Sequence, residues 1–171
     1  MKTYLNTTGA AASAILVGGT IAGVLDITYA VTFSAFRGVA PMRLLQSVAS
    51  GLLGKAAFDG GAATAALGLA LHFFIAYTVA TVFWIASRRW PVLVRQPVSS
   101  GLLYGIGVYA VMNLVVVPLS ATATRKVFPP IVIATGLLVH MFFIGLPIAL
   151  AARRAVRRTV TRIPDFVVAA T

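Results

Sequence analysis

The stretch from Gly60 to Ser87, GGAATAALGLALHFFIAYTVATVFWIAS, contains no Asp, Glu, Lys or Arg. A helix needs about 20 mostly apolar residues to cross the hydrocarbon core of a bilayer, and this run exceeds that length. Three more stretches read the same way, near Ala12–Phe36, Val98–Ala121 and Ile131–Ala152. The sequence therefore predicts an all-α, polytopic membrane protein with four transmembrane helices in one integral membrane domain spanning residues 1–171.

Composition agrees with that reading. The chain is 60% hydrophobic and 10% charged over its 171 residues, too apolar for an ordinary soluble domain. Its 14 Lys and Arg stand against 3 acids, Asp26, Asp59 and Asp165, giving a net charge of +11. So few charges in so apolar a chain do not make a nucleic-acid binder. Cysteine is absent, which removes thiol catalysis, thiolate metal sites and disulfides. Lys2 precedes an apolar run that continues past Asp26 to Phe33, longer than the core of a signal peptide, so the first span is expected to be retained.

The basic residues fall between and beyond the spans. Lys2, Arg88, Arg89, Arg95, Arg153, Arg154, Arg157, Arg158 and Arg162 share one predicted side, nine against the five of Arg37, Arg43, Lys55, Arg125 and Lys126. The positive-inside rule then places both termini in the cytoplasm. In the basic tail at 153–171, arginines recur every four residues of a helix, so Arg153, Arg154, Arg157 and Arg158 are expected to orient the chain and meet anionic lipid headgroups. Between the first two spans, segment 41–58 is amphipathic: Leu44, Leu45, Val48, Leu52 and Ala56 recur at helical spacing, with Arg43, Gln46, Ser47, Ser50 and Lys55 on other faces. That pattern predicts a helix lying in the outer interface, either capping the bundle or acting as a gate.

The chain reads as two tandem hairpins. Gly19-x-x-x-Gly23 in the first span parallels Gly101-x-x-x-Gly105 in the third, and Gly68-Leu69-Ala70-Leu71-His72-Phe73-Phe74 parallels Gly136-Leu137-Leu138-Val139-His140-Met141-Phe142. These glycines, Gly19, Gly23, Gly68, Gly101, Gly105 and Gly136, are the expected helix-packing positions, because small residues let helices approach in lipid. Both hairpins start on the same side, so a pseudo-twofold axis would run along the membrane normal.

Each span carries one polar residue away from its ends: Asp26, His72, Asn113 and His140. At about 1.5 Å of rise per residue, His72 lies roughly 24 Å from Arg88, His140 roughly 20 Å from Arg153 and Asn113 roughly 22 Å from Val98, while Asp26 lies roughly 16 Å from Arg37. Three of them share a level on the outer half, and Asp26 is near the middle. Rows of small residues four apart, such as Ala22, Asp26, Ala30 and Gly68, His72, Ala76, Ala80, turn these groups toward other helices. An ionised carboxylate alone in hydrocarbon costs about 2.5 to 3.5 kcal/mol, so Asp26 must be protonated or paired. The polar cluster Asp26, His72, Asn113 and His140 is either a proton-exchanging unit or interhelical hydrogen-bond glue. A third reading places haem between His72 and His140, with Gly68 and Gly136 leaving room for the ring.

Other motifs give no catalytic set, and no enzymatic activity is expected. Gly105-Ile106-Gly107-Val108-Tyr109-Ala110 matches a dinucleotide-binding pattern but lies inside an apolar span with no preceding strand. Pro118 and Pro147 are expected to bend the third and fourth spans and free carbonyls. The expected partners are the lipid bilayer, anionic headgroups and, as an open possibility, another copy of the chain.

The pattern resembles the YagU-like inner-membrane proteins of bacteria. The residues concerned are Gly19-Thr20-Ile21-Ala22-Gly23, His72, Gly101-Leu102-Leu103-Tyr104-Gly105 through Asn113 to Pro118-Leu119, and His140 followed by Arg153-Arg154. The family pattern has His where this chain has Asn113. The resemblance implies a bacterial inner-membrane location and a broad link to acid tolerance, with no established catalytic or transport mechanism. Together the residues and the resemblance lead to an expectation of proton or small-solute handling, against the alternative of a structural or accessory membrane subunit.

Overall fold

The computed structural model describes residues 8–121 and 129–160. Lys2, Arg125, Lys126, Arg162 and Asp165 lie outside the described residues, as does the tail beyond residue 160. Within them the chain is helical: α1 Thr8–Phe36, α2 Pro41–Leu53 with a tight 3-10 turn at Gly54–Phe58, α3 Gly61–Arg89, and the single turn α4 Val92–Arg95. Two composite helices follow. α5 runs through Pro97–Val111, Met112–Val116 and Val117–Leu119, and α6 through Pro130–Val139, His140–Gly145 and Leu146–Val160. Helices α1, α3, α5 and α6 are each long and apolar enough to cross a membrane.

The boundaries follow local chemistry. At the end of α1, the Val39 N–H bonds the Ser34 carbonyl at 2.9 Å and the Gly38 N–H bonds that of Ala35 at 2.9 Å, a Schellman closure. Gly38 has a φ of +78°, which a residue without Cβ adopts at little cost. Pro41, Pro97 and Pro130 open their helices, where a missing N–H is no loss. Pro118 and Pro147 lie inside helices, where a proline removes one hydrogen bond and crowds the carbonyl four residues back. Each follows a π turn. The Val117 N–H reaches back five residues to Met112 and the Leu146 N–H five residues to Met141. Each π turn lies beside the proline expected to bend its helix and widens the path there.

The spanning helices pack antiparallel in the spatial order α3, α1, α6, α5. Along α1, Gly19 meets Tyr77 and Gly23 meets Phe73, while Gly18 meets Ile148 and Ala151 of α6. Gly101 lies against Leu146 and Ala149, and Gly105 against the backbone of His140 and Met141. The circuit closes between α5 and α3 through Tyr104, which stacks edge-on to Phe83 and donates to the Val79 carbonyl at 2.7 Å. The core is made mainly of small side chains, Ala10, Ala14, Ala22, Ala80, Ala149, Ala152 and Ala155, around Phe83, Trp84 and Ile148. Large apolar side chains point outward instead: Phe74 is 67%, Leu103 68% and Leu114 75% exposed. That distribution inverts the usual preference of a water-soluble fold.

Helix α2 crosses the start of α3 and meets it through polar and small residues. Gln46, Ala49 and Ser50 are buried, whereas Leu52 is 63% exposed and Leu44, Leu45 and Val48 are half-buried. The reason is the closeness of the crossing: Gly68 lies directly against the Leu45 carbonyl and the Ala49 backbone, leaving no room for a leucine side chain between the helices. Gln46 fits because its Nε2 donates to the Gly61 carbonyl at 3.1 Å. At this end of the bundle the Ala121 N–H also bonds the Gly51 carbonyl at 2.9 Å, tying α5 to α2. The opposite end carries α4 and the basic part of α6, where Val94 joins Ala155 and Val156 in the core.

Candidate functional site

The α1–α3 crossing brings Asp26 and His72 together. Gly23 permits it, since a methyl group there would lie 2.7 Å from the Phe73 ring and push the helices apart. The Asp26 Oδ2 then stands 3.9 Å from His72 Nδ1, beyond hydrogen-bond length and within ion-pair reach. Both side chains are largely enclosed, with 23% and 14% exposure.

The second nitrogen of His72 fixes its protonation pattern. Nε2 lies 2.9 Å from the Gly23 carbonyl, which can only accept, so Nε2 carries a hydrogen and donates. In the neutral ring Nδ1 is then the bare nitrogen, and it is the one turned toward Asp26. One proton can therefore sit on Asp26 beside neutral His72 or on Nδ1 beside the carboxylate. Both forms of the pair are net neutral, which avoids the cost of an isolated ion in an apolar interior.

His140 comes to the same region from α6. It lies within electrostatic reach of the Asp26 carboxylate, as His72 does. Its Nδ1 donates to the Gly136 carbonyl at 2.8 Å one turn earlier, so the neutral ring has a bare Nε2. Tyr109 packs edge-on against the imidazole with 5.1 Å between centroids. The π turn begins at His140, and Tyr29 of α1 reaches Phe143 within it at 6.5 Å, setting α1 beside this distorted segment.

Asn113 is not joined to the other three by any direct contact described here. Its Nδ2 donates to the Tyr109 carbonyl of its own helix at 2.9 Å. The link to the cluster is indirect, through the Tyr109 ring on His140.

Tyrosines supply interhelical polar contacts that the sequence reading did not single out. Tyr77 Oη and Thr20 Oγ1 are 2.9 Å apart across α1 and α3, and Tyr104 bonds α3 as described above. The signal for Tyr77 was available in part, because it falls opposite Gly19 once the Gly23 crossing is known.

Haem does not fit between the histidines. The space expected beside Gly68 is filled by the α2 backbone, and a methyl group at Gly136 would already lie 3.1 Å from the Tyr109 ring. Nε2 of His72 is also engaged by the Gly23 carbonyl, and Nδ1 faces Asp26. Among the described residues no set of three His, Asp or Glu is gathered closely enough to hold a metal ion. Of the four arginines expected at headgroups, Arg154, Arg157 and Arg158 are exposed and Arg153 is half-buried, all on the final turns of α6.

No family model matches the chain, and no curated protein or solved structure matches it.

Proposed function

We propose that the chain is a four-span protein of the bacterial inner membrane with both termini in the cytoplasm, and that Asp26, His72 and His140 form an intramembrane proton-exchanging unit. The observation that carries the proposal is the Asp26–His72 pair: a carboxylate and the bare nitrogen of a tautomer-fixed imidazole, 3.9 Å apart in a largely enclosed crossing. Ionisable groups in a span are costly and are a functional hypothesis in their own right. His140, on a third helix, lies within electrostatic reach of the same carboxylate. Membrane insertion is supported by the four long apolar helices and by the outward-facing Phe74, Leu103 and Leu114.

Two tandem hairpins are part of the same reading. In each hairpin a glycine of the first helix, Gly23 or Gly105, packs beside a histidine-bearing segment of the second, Phe73 or His140. The YagU-like resemblance adds acid-stress tolerance as the physiological setting, and small-solute coupling as an extension of proton exchange. Purified protein in liposomes under an imposed pH gradient provides the test. Wild type is expected to conduct protons above protein-free liposomes, and Asp26→Asn to lower that flux at least tenfold; equal fluxes overturn the proposal.

A second reading, a structural or accessory subunit, draws on the fact that His72, His140 and Asn113 each have a backbone carbonyl partner. Under it, His72→Ala would disturb assembly and stability while wild type and Asp26→Asn liposomes would be equally tight to protons.

A further inference from the structure

A shallow groove opens between α1 and α6 at the end of the bundle opposite α2. It encloses about 240 Å³ and is lined by Ser13 and Val17 of α1 and by Ala151, Arg154, Ala155 and Arg158 of α6. The composition is divided. Arg154 and Arg158 are one helical turn apart, so both guanidinium groups serve the same side of α6. Ala151 and Ala155 make a low floor, and Ser13 adds a hydroxyl.

We propose that this groove is a binding site for the phosphate of an anionic phospholipid. Two guanidinium groups separated by one turn suit a phosphodiester, whose oxygens accept paired N–H bonds from arginine better than from lysine. A free inorganic phosphate would satisfy the same donors. The lipid is favoured by what adjoins them: Val17 is 46% and Leu16 58% exposed, giving an acyl chain an apolar surface leading away from the arginines. The arginines stand where the apolar part of α6 ends, the level at which headgroups meet a spanning helix.

The site is specific in a way that a diffuse basic tail is not. Arg153 and Arg157 carry the same charge and spacing on the same turns but do not line the groove. Replacing either pair by Gln removes the same net charge, so the two double variants separate a built site from general attraction to an anionic surface.

The inference rests on the membrane insertion proposed above, and the two can fail separately. Resistance of the membrane-bound protein to carbonate extraction reports insertion. Native mass spectrometry of protein released from bilayers of phosphatidylglycerol and phosphatidylcholine then reports the site. Wild type is expected to retain phosphatidylglycerol, Arg154→Gln with Arg158→Gln to lose it at least tenfold, and Arg153→Gln with Arg157→Gln to retain it within twofold. Millimolar inorganic phosphate should not displace it. Equal loss in both double variants, no loss in either, or displacement by inorganic phosphate would overturn the assignment. Circular dichroism of each variant checks that the helices persist, and Arg154→Lys with Arg158→Lys, which keeps the charge, is expected to fall between wild type and the Gln pair.

Discussion

At the level of single residues, glycine positions decide how closely the helices meet, and they differ sharply from one another. Gly105 lies against the His140 backbone, so a methyl group there must move one helix away from the other. Gly107, two residues on, has open space around its Cα. Gly105→Ala is therefore expected to lower stability by about 1 to 3 kcal/mol through overpacking. Gly107→Ala is expected to be neutral or to stabilise by up to about 1 kcal/mol through helix propensity. Denaturation of the detergent-solubilised protein, followed by helicity, measures both. Opposite signs support the α5–α6 crossing described here. The sequence alone could place Gly101 and Gly105 on one face, since that needs only helical spacing. It could not reveal that Asn113 bonds the carbonyl of Tyr109 in its own helix, because a polar side chain in a span can satisfy a local or a neighbouring acceptor equally well.

Among the elements, α2 shows where sequence patterning stops being informative. Its leucines occur at helical spacing and would fill a soluble interior, yet Gln46, Ala49 and Ser50 take the buried face. Periodicity identifies an amphipathic helix but does not say which face meets protein when the surroundings are themselves apolar. The deciding feature is Gly68, 23 residues beyond Leu45 in the chain, whose missing side chain admits the α2 backbone. Gln46→Leu should then destabilise the α2–α3 crossing by about 1 to 3 kcal/mol, because it removes the Gln46 bond to the Gly61 carbonyl, leaving that acceptor to Thr64, and forces a branched side chain into a close contact. Hydrogen exchange of α2 amides gives the readout: faster exchange confined to α2 and the start of α3 is expected, and unchanged exchange contradicts the role given to Gln46. On α5 the Tyr104→Phe substitution removes the hydroxyl that reaches Val79 of α3 and should cost about 0.6 kcal/mol, the average for hydrogen bonds between spanning helices. The π turns before Pro118 and Pro147 belong to the same scale. Proline predicted a disturbance, but only the three-dimensional path shows that the chain widens its turn at Asn113 and at His140.

Across the whole molecule, the four apolar helices were legible from run length alone, because the hydrocarbon thickness sets their length and the four runs between Ala12 and Ala152 lack Lys and Arg. The cluster was legible in part. Helical rows turned Asp26 and His72 toward helix neighbours, and the structure pairs them at 3.9 Å. The tautomer of His72 was not legible, since it depends on the Gly23 carbonyl of a different helix. That bond makes the proposed unit more than three ionisable groups at similar depth: it turns the bare nitrogen of one imidazole to the carboxylate and leaves His140 as a second partner. The most direct test is a nitrogen NMR titration of His72 and His140 in lipid bilayers, in wild type and in Asp26→Asn. Proton exchange through a shared unit predicts that removing the Asp26 carboxylate alters the response of both imidazoles to pH. Two imidazoles that titrate independently, unaltered by Asp26→Asn, would contradict it.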